Sequence, residues 1–302
     1  MLLLVPLLLG ITLFAFFLLK ALPGDIVVSL VGERATPETM ESIRREIGAD
    51  KSFAYQYWGY LKLLSRGDFG SSYYTNRSVL SDIAAKFPNT MTLAFAAMLF
   101  AVPSGIILGF IAAYSKDRFA EKCVDALSLS GLSIPVFWSA LMVMILFSLK
   151  LKLFPPSGTG GPAFLVMPAF VLSIPAAATL ARITKITVSD ILGMPYIKTA
   201  RAKGLSPLSI QGVHVLRNAL IPIVTIIGLD FGSYLNGAVV TETIFGWDGI
   251  GRFTMEGIIK RDYPVIMGCI IVGTVLFVLI NLITDLLYHL LDPRIRLHVR
   301  DR

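Results

Sequence analysis

Charge is scarce in this sequence. Only 16% of its 302 residues are Asp, Glu, Lys or Arg, against about 25% in an ordinary soluble domain. Charge is missing altogether from residues 1–19, 87–115, 126–149, 153–181 and 263–284, and residues 218–241 hold Asp230 alone. Catalytic signatures are missing too. Without a G-x-x-x-x-G-K-[ST] loop the chain has no P-loop with which to hydrolyse ATP. It has no H-E-x-x-H zinc motif, and His214, His289 and His298 are scattered. Gly131-Leu132-Ser133 and Gly204-Leu205-Ser206 lack the second glycine of a serine nucleophile elbow. Of the two cysteines, Cys123 falls in an inner loop and Cys269 in the outer half of the last apolar run, so no internal disulfide is expected.

What is present is apolar length: 55% of residues are hydrophobic. A helix needs roughly 20 apolar residues to cross the hydrocarbon core. The sequence therefore predicts an all-α integral membrane protein with six transmembrane helices near 2–19, 89–114, 126–149, 163–181, 218–241 and 264–287. Residues 1–19 lack the basic n-region and small-residue cleavage site of a signal peptide, so they read as a retained first helix. Residues 20–88 form a periplasmic segment, 89–290 a five-helix core with an inner loop at 182–217, and 291–302 a cytoplasmic tail.

The net charge of +7 matters through its location. With the N-terminus inside, the inner loops 115–125 and 182–217 and the tail hold thirteen Lys and Arg, and the short outer loops 150–162 and 242–263 hold five. That asymmetry predicts an N-in, C-in orientation, with the basic residues serving topology and membrane lipid rather than nucleic acid.

Within 20–88, Thr36 is placed to cap a helix that starts at Pro37, carries Met40, Ile43 and Ile47 as an apolar stripe and closes at Gly48. Tyr55, Tyr57, Trp58 and Tyr60 follow, as a packed cap or as a docking surface for a solute-binding partner. Gly158, Gly160 and Ala163 fit G-x-G-x-x-A, but the flanks are membrane helices and not a βαβ unit, so a tight turn is the expectation. Gly105 and Gly109, and Gly228 and Gly232, are spaced for close helix approach. Pro103, Pro135, Pro168, Pro175 and Pro222 are expected to kink or open their helices.

The inner-loop segment Tyr196-Ile197-Lys198-Thr199-Ala200-Arg201-Ala202-Lys203-Gly204-Leu205-Ser206 reads as a short basic helix lying on the cytoplasmic face, ended by Gly204 in a left-handed conformation. On physics alone, binding to lipid headgroups would explain it. Asp230 lies midway along the fifth run, where a carboxylate costs ~2.5–3.5 kcal/mol and so faces protein or a water-filled cavity. It serves either a translocation pathway or a structural hydrogen bond. Asn236 is a second pathway candidate. Glu242, near the outer end, is either a third or a solvated residue. Asp285, with Arg294 as a candidate partner, reads as structural.

The stretch from Tyr196 to Thr225 resembles the EAA loop of binding-protein-dependent ABC importer permeases: Glu-Ala-Ala, three residues, Gly, nine residues, then Ile-x-Leu-Pro. Lys198-Thr199-Ala200 stands in the Glu-Ala-Ala place, Gly204 in the Gly place and His214-Val215-Leu216-Arg217 in the last. Thr199–Leu205 and Leu216-Arg217-Asn218-Ala219-Leu220 are similar to the variant of the dipeptide/oligopeptide/nickel subfamily. So are Leu22-Pro23-Gly24-Asp25, Asp68-Phe69-Gly70-Ser71-Ser72, the run from Gly237 to Arg252, Arg261-Asp262-Tyr263-Pro264-Val265 and Leu291-Asp292-Pro293-Arg294-Ile295-Arg296. The resemblance implies a permease subunit in a bacterial or archaeal inner membrane, importing peptides or small solutes such as nickel chelates. It implies a second homologous permease, an extracytoplasmic solute-binding protein and two cytoplasmic ATPase subunits that carry the ATP and Mg, with no cofactor on this chain. Tyr196 and Thr199 to Ser206 would then couple to the ATPases. An ion-coupled secondary transporter is the alternative; it calls for inverted repeats or a midplane ion site, and no internal repeat is visible.

Overall fold

The computed structural model describes residues 4–21, 26–31, 35–115 and 118–291. Leu22-Pro23-Gly24-Asp25, Arg294 and His298 lie outside them. The described residues are helical, apart from turns and one isolated antiparallel bridge between Ser71 and Ser78. The first helix, α1 (Leu4–Ala21), leads through α2 (Ile26–Val31) to α3 (Pro37–Glu46) and α4 (Phe53–Leu64). The Thr36 hydroxyl accepts from Thr39 N at 3.3 Å, Pro37 opens α3, and Gly48 follows its end at φ +68°, as the sequence predicts. Phe16 of α1 meets Phe53, Tyr57 and Tyr60 of α4 with ring centroids 5.2, 5.6 and 6.5 Å away, so Tyr57 and Tyr60 pack onto α1, while Tyr55 and Trp58 are exposed.

The core is built on α5 (Val79–Tyr114) and α8 (Pro162–Gly193). A Cβ on Gly105 would come within 2.6 Å of Leu180 Cβ, and one on Gly109 within 2.7 Å of the Ala181 carbonyl oxygen. Matching 105 with 180 and 109 with 181–184 makes the two helices parallel. α11 (Arg217–Leu235) packs against both and against α14 (Tyr263–Leu291). There Gly228 and Gly232 admit Thr284 and Ile280.

Several boundaries differ from expectation. α5 begins at Val79, inside the expected periplasmic segment, and α8 runs on to Gly193. α11 stops at Leu235, where Asn236 caps it, and the chain turns back through α12 (Val239–Ile244) and α13 (Ile250–Lys260). The third run is not one straight helix. α6 (Arg118–Ser133) ends before Pro135, and α7 (Val136–Val143), continued as a π-helix Met144–Lys150, leaves at 102°. Pro135 has no N–H to continue the ladder. The bent pair still climbs α8: Gly131 lies against Ala178, and Ala140 clusters with Met167 and Val171. Pro103, Pro168, Pro175 and Pro222, by contrast, sit inside uninterrupted helices.

α5, α8, α11 with its α10 (Pro207–Ser209) lead-in, and α14 are each long and apolar enough to cross a bilayer, and the bent pair adds a fifth candidate if its two arms form one span. The apolar segment of α1, Pro6–Lys20, is shorter.

Candidate functional site

α8 ends at Gly193, and Met194-Pro195 starts the short α9 (Pro195–Ala202), Pro supplying the φ of a first helical position. Its end is a Schellman motif: Leu205 N donates to Ala200 O at 3.2 Å and Gly204 N to Arg201 O at 3.0 Å, with Gly204 at φ +77°. Ser206 then caps the next turn by accepting from Ser209 N at 3.2 Å. The chain continues as a π-helix, Ile210–Leu216, directly into α11.

Ile197 and Ala200, three residues apart, are buried in a cluster with Leu180, Val188 and Ile191 of α8 and Val215, Ala219 and Ile223 beyond the turn. Tyr196, Lys198, Thr199, Arg201, Ala202, Lys203, Gly204, Leu205 and Ser206 are exposed. The small side chain at 200 therefore lets α9 sit close on its own bundle; it does not offer close approach to a partner. Asn218 Nδ2 donates to His214 O at 2.6 Å and to the Tyr196 hydroxyl at 3.3 Å, joining α9 to the start of α11.

The three other candidates are not brought together. Asp230 lies in α11 with Oδ2 buried and without a hydrogen-bond partner among the described residues. One turn on, the Tyr234 hydroxyl donates to Leu172 O at 2.8 Å. Asn236 is exposed, against Gly273 of α14, and six residues of α-helix set it about 120° around the axis from Asp230. Glu242 is in α12 and has no accessible surface, so it is neither solvated nor open to a pathway in this conformation.

Glu242 is instead the hub of the segment that holds α12 and α13 against α5. Oε1 accepts from Thr90 Oγ1 at 2.9 Å and Oε2 from Arg252 N at 2.9 Å, while Thr90 Oγ1 accepts from Ile250 N at 2.9 Å. A Cβ at Gly249 or Gly251 would come within 2.5 or 3.0 Å of the carboxylate, so these two glycines make room for it. Burial pushes the Glu242 carboxyl above the usual carboxylate range, partly offset by the donated hydrogen bonds. Around it, Trp247 Nε1 donates to Asn89 O at 2.9 Å, Lys86 pairs with Asp248, and Ser72 Oγ donates to Asp262 at 2.5 Å. Sequence reasoning found this stretch by resemblance but missed its job, because Thr90 is 152 residues away. The available signal was a single acid between apolar residues and a glycine pair. No group of three or more His, Cys, Asp or Glu among the described residues is placed to hold a metal ion.

The structure is a multispan helical bundle with parallel core helices and a basic surface helix between two spans. In fold it is similar to the inward-facing MetNI methionine ABC transporter, with a TM-score of 0.59 at 18% identity over 70% of this chain and 97% of that one. It is also similar to an amino acid ABC transporter, at 0.53 and 14% over 70% and 94%. Residues 105–297 match the binding-protein-dependent transport system inner membrane component family, and residues 1–94 its membrane-component N-terminal family. The chain belongs to this family and is a permease subunit of an ABC importer, with ATP hydrolysis on separate subunits. It is 39% identical to the di/tripeptide transport system permease DppB of Pseudomonas aeruginosa (97% of this chain, 96% of the relative). It is 38% identical to a putative peptide transport permease of Brucella abortus and 36% to the dipeptide permease DppB of Escherichia coli K12, each over 97% of this chain and 96% of the relative.

Proposed function

We propose that the chain, paired with a second homologous permease, forms the pathway by which peptides or similarly sized solutes, nickel chelates among them, cross the inner membrane. An extracytoplasmic binding protein delivers the solute, and two cytoplasmic ATPases carrying ATP and Mg drive the cycle through residues 196–206. In this reading the chain crosses six times with both ends inside: α1 tilts into the bilayer beside α14, and the loop of α9 faces the cytosol. Support for the solute class comes from relatives named as peptide permeases along almost the whole chain.

The observation that carries the coupling role is the division of α9 into two faces. Ile197 and Ala200 are sunk into the bundle, and Lys198, Arg201 and Lys203 are exposed beside them. Such a helix is a lever. A partner that grips the basic face moves the buried face, and that face packs on residues leading into α11. Motion of α9 thus reaches Asp230 through Tyr196–Asn218 and the Val215–Ala219–Ile223 stripe. Asp230, with an unsatisfied carboxylate oxygen mid-span, would meet a cationic part of the solute such as a peptide amino terminus, which returns the hydrogen bonds that burial removed. Asn236, at the outer end of α11, would meet the solute earlier.

Deleting Lys198–Ser206 is expected to abolish ATP-dependent uptake in the assembled transporter while membrane insertion persists. Normal uptake by that deletion would rule the coupling role out.

A further inference from the structure

We propose that the cleft between α6 and the inner half of α8 is a binding site for one membrane phospholipid whose headgroup carries a primary ammonium. The cleft encloses ≈ 350 Å³. Its α6 wall is a single helical stripe, Asp125, Ser128 or Leu129, then Leu132, and its α8 wall is Arg182, Lys185 and Ile186. The apolar part is open to the surroundings: Leu129, Leu132 and Ile186 are 64%, 43% and 49% exposed. Acyl chains are the occupant a bilayer supplies to such a wall.

Depth argues for a headgroup at the other end. Asp125 is the last charge before the uncharged run 126–149, and Arg182 is the first after the uncharged run 153–181. The two helices run antiparallel here, Glu121 and Asp125 meeting Lys185 while Gly131 meets Ala178. Both walls therefore change from uncharged to charged at one level, where the hydrocarbon core gives way to headgroups.

The charges select the headgroup. Lys185 is committed to Glu121 at 2.9 Å and to Asp125 at 2.7 Å. Arg182 is exposed and has no carboxylate partner among the described residues. Asp125 is half exposed, and each of its oxygens keeps a lone pair that Lys185 does not use. Two cations and two carboxylates leave no excess charge to draw an anionic lipid. They do offer one donor fork for a phosphate and one acceptor for an ammonium beside it. A choline headgroup has no N–H to give Asp125, and a glycerol headgroup has no cation. Phosphatidylethanolamine satisfies both partners. This inference requires the membrane placement of the chain and is independent of what the chain transports.

The test is native mass spectrometry of the full chain after exchange into an equimolar mixture of phosphatidylethanolamine, phosphatidylcholine and phosphatidylglycerol with identical acyl chains. One phosphatidylethanolamine should be retained at least fivefold over either competitor. Arg182→Ala should lower retention of all three lipids, and Asp125→Asn should erase the preference for ethanolamine over choline. Leu129→Trp, which fills the apolar part and leaves every charge in place, should lower retention while the melting temperature stays near that of the parent. Equal retention of the three lipids, enrichment of phosphatidylglycerol, or ethanolamine enrichment that survives both Arg182→Ala and Leu129→Trp would overturn the proposal.

Discussion

Ile197→Ala tests the seating of α9 quantitatively. Ile197 is fully buried, and it and Ala200 are the two residues that α9 buries in the bundle. Truncation removes three carbons, each worth about 0.8 kcal/mol when buried, or about 2.4 kcal/mol before any cavity cost. At about 1.4 kcal/mol per decade, the ratio of seated to unseated α9 should fall roughly 50-fold. A helix of eight residues does not hold together by itself, so unseating means local unfolding. Hydrogen exchange should therefore quicken by up to about 50-fold across 195–205, with no change in the amides of α5 and α8. In the assembled importer, ATP hydrolysis should continue with less solute moved per ATP. Unaltered exchange in 195–205, or unaltered coupling once faster exchange has been seen, would refute the lever.

Gly109→Val places a Cβ within 2.7 Å of the Ala181 carbonyl, a backbone atom that cannot step aside; a loss of about 1–3 kcal/mol is expected, read as a lower midpoint in thermal denaturation in detergent. Asp230→Asn should weaken transport of solutes with a free amino terminus by about 10- to 100-fold, the worth of a charged hydrogen bond at ~1.5–3 kcal/mol, and leave amino-blocked analogues unchanged; equal effects on both would remove Asp230 from the pathway. Because burial raises the Glu242 carboxyl, the folded state holds that proton more tightly than the unfolded one. Stability should fall as pH rises from the ordinary carboxylate range through the raised value. Melting curves of the parent minus those of Glu242→Gln should show that slope, and a flat difference would contradict it.

The long apolar helices were legible in the sequence because lipid excludes charge, and uncharged runs fall in α5, α8, α11, α14 and the α6–α7 pair. The glycine pairs were legible as close contacts, and Gly204 as the end of α9, since each follows from local sterics. The break at Pro135 could not be separated from the unbroken Pro103 or Pro168 by sequence, since every one of them lacks the same N–H. Packing decides: Ala101 on Ala176 and Gly105 on Leu180 hold α5 against α8 on either side of Pro103. The turn at Asn236 was hidden in an apolar run, because Val239 and Val240 are as apolar as a membrane span. Glu242 was opaque because its partners come from α5 and α13. The inward face of Ala200 was readable from its i, i+3 spacing with Ile197.

The central claim is that α9 faces the cytosol and is gripped there by an ATPase. Lys198→Cys, in a chain with Cys123 and Cys269 replaced, presents a single thiol on the exposed face of α9. A membrane-impermeant maleimide should label it in inside-out vesicles and not in right-side-out ones, and addition of the partner ATPase subunits should suppress the labelling. Labelling from the outside, or labelling from the inside that the ATPases leave unchanged, would contradict the account.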